Sequence, residues 1–218
     1  MSPIIRHPNC GKSAFSLIEM VAVMAVLGIL TVAGVGLLGG TGAHSRKAGT
    51  DLLACMIDQA RAAAITSRCH VVLAMAEPGD LPEGDEHCRL GMFKVASWPE
   101  HTTDPVVGVL MGRWRTLDSG VVLIGGAVDG VANPMDGDGL TISYGTPRPV
   151  TVKVHAIAFN ARGALLYPAG STPVAMRLAE GVYQNGRATP KRSGPSATIA
   201  ETRMQIGRVN SRVYRIDG

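Results

Sequence analysis

The sequence predicts an α+β protein: a long N-terminal helix packed on an antiparallel β-sheet head. Three observations carry the prediction. Phe15 to Leu38 is an apolar run of 24 residues with one charge, Glu19. Ser45 to Thr66 then repeats apolar residues at helical spacing. Beyond residue 66 the chain breaks into short apolar stretches separated by glycine and proline.

The apolar run is long for a core helix. At about 1.5 Å per residue it reaches roughly 36 Å, enough to cross a hydrocarbon core of about 30 Å. A cleaved secretory signal competes with a retained anchor, but such a signal has a shorter apolar region and no need of a carboxylate. An acid in hydrocarbon is costly and wants a partner or a purpose. Gly39, Gly40 and Gly42 follow the run and predict a flexible joint within one long helix. In the second helical stretch Leu52, Leu53, Met56, Ile57, Ala60, Ala63 and Ala64 share one face. Lys47, Asp51, Asp58 and Arg61 take the other, and Cys55 falls near that polar side.

The strands expected in the head are His70–Ala76, Leu90–Ser97, Val109–Leu117, Val121–Ile124, Leu140–Tyr144, Val150–Phe159, Ala164–Tyr167, Val174–Ala179, Thr202–Ile206 and Arg212–Ile216. Val150, Val152, Val154, Ala156 and Ala158 line one face of the longest. Gly181–Thr198, polar and containing Pro190 and Pro195, reads as a long mobile loop.

Charge and cysteine usage narrow the function. The net charge is +4, with 21 basic and 17 acidic residues. Removing a leader that holds Arg6 and Lys12 leaves a nearly neutral chain, which does not itself imply a nucleic-acid partner. Cys10, Cys55, Cys69 and Cys88 form no CxxC pair, so a structural zinc site is not expected. If Cys69 and Cys88 flank an antiparallel hairpin they stand roughly 20 Å apart, out of disulfide reach; the disulfide state of Cys55, Cys69 and Cys88 stays open. No nucleophile elbow, metalloprotease motif or phosphate-binding loop occurs, and no catalytic residue, metal or cofactor is predicted. Asp136-Gly137-Asp138-Gly139 lacks the spacing of a calcium loop and reads as a surface turn. The acidic stretch Glu77–Glu86 reads as a solvated loop, with docking of a basic partner as the alternative.

The stretch Lys12-Ser13-Ala14-Phe15-Ser16-Leu17-Ile18-Glu19-Met20 resembles the processing site of type IV prepilins and pseudopilins. The resemblance implies a leader over 1–14, a transmembrane and assembly helix over 15–38, a glycine joint and amphipathic half over 39–66, and an extracytoplasmic β-rich head over 67–218. It implies cleavage between Ala14 and Phe15 by a prepilin peptidase and N-methylation of Phe15. The residue before the cut is Ala14 where the family usually has glycine. Glu19, fifth from the new terminus, would neutralise the amine of a neighbouring subunit. The role so implied for Glu19 is electrostatic, not catalytic. Basic residues flank the run nearly evenly, Arg6 and Lys12 before it and Arg46 and Lys47 after it, so orientation rests on the resemblance: inner membrane, single pass, head outside.

Ala60-Arg61-Ala62-Ala63-Ala64-Ile65, Trp114, Ile157-Ala158-Phe159-Asn160-Ala161-Arg162-Gly163 and Ile206-Gly207-Arg208-Val209 are similar to GspH/FimT-type minor pseudopilins. The partners implied are other pilin or pseudopilin subunits, the prepilin peptidase and an inner-membrane assembly platform. The alternative is a membrane-tethered binding protein that captures DNA through its basic C-terminal segment, with Arg208 and Arg212 as contact residues. Solvated strand edges explain the same arginines.

Overall fold

The computed structural model describes residues 17–26, 41–84, 86–101, 104–193 and 197–216. The chain divides into two units, Met1–Thr41 and Gly42–Gly218. In the first, residues 17–26 are helical (α1). Expectations for residues 1–16 and 27–40, including the cleavage site, most of the apolar run and two of the joint glycines, lie outside the described residues.

All but the first residue of α2 (Thr41–Ser67) belongs to the second unit, and the helix is longer at its start than expected. Gly42, assigned by sequence to a joint, instead sits in its first turn, where a Cβ would come 2.7 Å from Glu180 Oε2. Four residues on, Arg46 pairs with that carboxylate at 3.2 Å. Leu53, Met56, Ile57, Ala60 and Ala64 are buried on one face, and Lys47, Asp51, Cys55 and Asp58 are exposed on the other, as the periodicity predicts. The helix ends where Arg68 turns to φ +51.

Among the described residues fourteen strands follow: β1 (His70–Ala76), β2 (Arg89–Val95), β3 (Val106–Leu110), β4 (Arg115–Thr116), β5 (Val121–Ile124), β6 (Leu140–Tyr144), β7 (Val150–Phe159), β8 (Leu165–Tyr167), β9 (Val174–Gln184), β10 (Arg187–Pro190), β11 (Arg192–Ser193), β12 (Thr198–Ile199), β13 (Glu201–Ile206) and β14 (Val213–Ile216). They do not form one antiparallel sheet. β1 pairs with β2, β2 with β3, β3 with β6, β6 with β7, and β7 returns to β1, so five strands close into a barrel. Followed once around, the register is displaced by about ten residues, the stagger that lets tilted strands close. The β3–β6 pair is parallel, a departure from the antiparallel prediction.

Alternation fills the barrel. Val72, Ala74, Phe93, Val95, Val106, Leu140, Ile142, Val152, Val154, Ala156 and Ala158 form its buried interior. Gly91 also points inward, and a Cβ there would meet the Trp114 ring at 2.7 Å; Trp114 closes that end with Phe93 and Tyr144, whose ring centroids lie 5.5 and 6.4 Å from its own. The opposite faces of β1 and β7, with Val71, Leu73, Met75, Ile157 and Phe159, join a second core with α2 and with Val121, Leu123, Met176, Leu178, Met204 and Ile206 of the other sheet. This explains why β7 alternates in its first half and is buried on both faces in its second.

The other sheet runs β10-β9-β13-β14, with β5 also on β9. The loop expected over Gly181–Thr198 is mostly strand here. β9 continues to Gln184 and returns as β10 through Asn185 and Gly186, at φ +51 and +75, the mirror-image turn that matches strand twist. The strand expected at Val109–Leu117 is broken into β3 and β4 by Gly112 at φ +88.

Candidate functional site

Residues 17–26 place the one acid of the apolar run on a helix that is apolar all round. Leu17, Ile18, Met20, Val21, Val23, Met24 and Val26 are between 48% and 82% exposed, and Glu19 is exposed among them. Each such side chain forgoes about 1.5–3 kcal/mol of burial for as long as it is exposed. A helix apolar on every face belongs inside a bundle or in lipid. Among the described residues no helix is long and apolar enough to cross a membrane. Ala14 and Phe15 lie outside the described residues.

Residues 10–35 match the model of the prokaryotic N-terminal methylation motif. The chain carries that motif. It spans Ala14, Phe15 and Glu19 and ends before the head begins. No curated protein and no solved structure matches the chain.

In the head, three of the short motifs singled out in the sequence converge on one corner. Gly163, at φ +77, lies under α2, where a Cβ would sit 2.7 Å from Ile65 Cδ1 and 3.3 Å from Arg61 Cγ. Asn160 Oδ1 accepts from Arg162 N at 2.9 Å and Ala164 N at 3.1 Å, shaping that turn. Leu165 N then donates to Arg208 O at 2.9 Å. Trp114, the remaining element of that resemblance, is at the end of the barrel instead.

The two arginines proposed as DNA contacts have different surroundings. Arg208 Nε donates to Thr172 O at 2.6 Å and Nη1 donates to Pro168 O, so much of its guanidinium is spent inside the head. Burial lowers its pKa. Arg212 is exposed. Other members of the basic segment are also engaged: Arg203 pairs with Glu201 at 2.6 Å and Arg215 with Asp51 of α2.

Glu201 is the residue the sequence reading missed. Its side chain is 9% exposed and receives both Arg177, at 2.6 Å, and Arg203. Burial alone would raise its pKa, but hydrogen bonds from Arg203 and Arg177 hold it below the usual range. The sequence signal was that Glu201 is one of two acids, with Asp217, in the basic segment from Arg187 to Gly218.

The acidic stretch is partly folded into the surface. Asp80 Oδ2 accepts from Glu77 N at 2.8 Å, and Glu83 pairs with Arg89 at 3.2 Å. Burial raises the pKa of Glu77 and Asp80, with His155 nearby opposing the shift. Asp136 Oδ1 accepts from Gly126 N at 2.7 Å, within a turn capped by Asn133. Among the described residues no group of acids, histidines and cysteines is arranged to hold a metal. Cys55, Cys69 and Cys88 are free thiols. His70 pairs with Val95 and Ala76 with Arg89, which puts Cys69 and Cys88 at opposite ends of the hairpin.

Proposed function

We propose that this chain is a minor pilin or pseudopilin, a subunit of a type II secretion or type IV pilus-like filament. The observation that carries the reading is the methylation motif at residues 10–35, within which residues 17–26 form a helix whose apolar residues are exposed around Glu19. Residues 1–14 are the cytoplasmic leader, and a prepilin peptidase cuts before Phe15, whose new amine is methylated. Residues 15–38 hold the subunit in the inner membrane with the head outside until an assembly platform adds it to the filament. Within the helical bundle Glu19 neutralises the amine of a neighbouring subunit, a strong attraction where water is scarce. The head serves assembly and contact with other subunits, not catalysis. Membership of the GspH/FimT-type subgroup is supported by the convergence of the Ile65, Gly163 and Arg208 motifs at one corner of the head.

The test is Glu19→Ala in the full chain. The variant should still enter the membrane, because it removes a charge from an apolar segment, and should be depleted from filaments relative to wild type. Equal incorporation beside wild-type subunits would refute the role given to Glu19.

A further inference from the structure

Among the described residues β14 is the outer strand of its sheet, and β13 is the strand it pairs with. Gly207 N donates to Arg212 O at 3.1 Å, which fixes the phase of the β13–β14 ladder. Residues 212, 214 and 216 direct their backbone groups toward β13. The N–H and C=O of Val213 and Arg215 therefore point away from the sheet, two residues apart. That is the spacing an incoming strand engages.

A groove of 620 Å³ runs beside this edge. Its floor is a stripe of α2 at helical spacing, Asp58, Arg61, Ala62 and Ile65, and Arg212, Val213 and Tyr214 form the other wall. Arg215, held by Asp51 of α2, lies next along β14. Ile65 and Tyr214 are 44% and 50% exposed, large apolar surfaces with room above them. Arg61 lines the groove from α2, and Arg212 lines it from the β14 side. Two guanidinium groups against the single carboxylate of Asp58 make the groove a match for negative charge.

From these features we infer that the groove binds an extended acidic segment of a partner protein, which adds to β14 as a further strand and sets a carboxylate on Arg61 and Arg212. A strand placed about 4.8 Å from β14 uses the free backbone groups of Val213 and Arg215, and alternate side chains face the α2 stripe. Backbone pairing supplies the orientation, and the arginines select the charge. The inference stands on the head alone and is independent of Glu19 and of membrane processing.

The experiment uses the full chain in detergent micelles and a fluorescein-labelled octapeptide of alternating valine and glutamate, followed by fluorescence anisotropy. Saturable binding is expected with a Kd on the order of 100 µM. Arg61→Gln and Arg212→Gln should each weaken it about tenfold, the loss of one charge-assisted contact. An octapeptide N-methylated at alternate residues keeps its charge but loses edge donors and should not bind, a control that leaves the protein untouched. The lysine counterpart should not bind either. Equal binding of the N-methylated peptide would overturn strand addition, and equal binding of the lysine peptide would overturn the charge match. No binding of the glutamate peptide up to about 1 mM would overturn the inference altogether. Displacement of bound peptide by duplex DNA at far lower concentration would reassign the groove to phosphate.

Discussion

Gly163 lies directly beneath Ile65, with 2.7 Å between the position of a Cβ at residue 163 and Ile65 Cδ1. The contact locks the end of α2 to the turn between β7 and β8, and it explains why glycine stands there twice over: the residue is at φ +77 and has no room for a side chain.

Gly163→Ala should therefore destabilise the head by about 2 kcal/mol, through the left-handed backbone and the displaced Ile65 together. Thermal unfolding of the full chain in detergent, followed by near-ultraviolet circular dichroism, checks it. Gly79→Ala is the comparison. Its φ is +99, but open space surrounds it, so it carries only the backbone part of the loss.

Acid should act on the head in two opposite ways. Glu201 has its pKa depressed in the fold, so its contribution to stability is present above the ordinary glutamate value of 4.5 and is lost as pH falls through the folded pKa. Glu77 and Asp80 have theirs raised by burial, so as pH falls they take up protons earlier in the folded chain and relieve a cost. Glu201→Gln leaves Arg177 and Arg203 without their shared carboxylate and should cost about 2 kcal/mol at neutral pH. The gap to wild type should narrow as the pH drops below 4.5. Melting temperature against pH for the two proteins measures both effects; a gap that stays constant into acid would contradict the pairing.

The thiols should separate by reactivity. Cys55 is exposed on α2, whereas Cys88 is fully buried, and burial pushes its thiol up to about 12. Alkylation with iodoacetamide at pH 8, read by peptide mapping, should modify Cys55 in the native protein and reach Cys88 only in denaturant. A disulfide between Cys69 and Cys88 in the native chain would contradict the hairpin register.

Much of the head was legible because its signals are local. His70–Ala76, Val121–Ile124, Leu140–Tyr144 and Val150–Phe159 are strands with the bounds their patterns indicate. The buried face of α2 follows from spacing alone. Asn185-Gly186 was also a local signal, a pair suited to a two-residue hairpin turn, and it was masked by the polar composition of Gly181–Thr198. Closure of the barrel was not legible. It depends on β3 lying parallel beside β6, and nothing in the pattern of Val106–Leu110 names Ile142 and Ser143 as the partners of Val106 and Val107. The same limit hid the candidate groove. Asp58 and Arg61 read as a solvated helix face, and only the placement of β14 beside them makes a wall. At the N-terminus the reverse holds: Ala14, Phe15 and Glu19 are recognised by order in sequence, with no tertiary structure required.

The most direct measurement is the intact mass and N-terminal sequence of the protein extracted from native membranes. A mature chain beginning at Phe15, with a methyl group on its amine, is the expected result. A chain that still begins at Met1, or one that begins after Leu38, would contradict processing as a pilin-like subunit and with it the assembly role of Glu19.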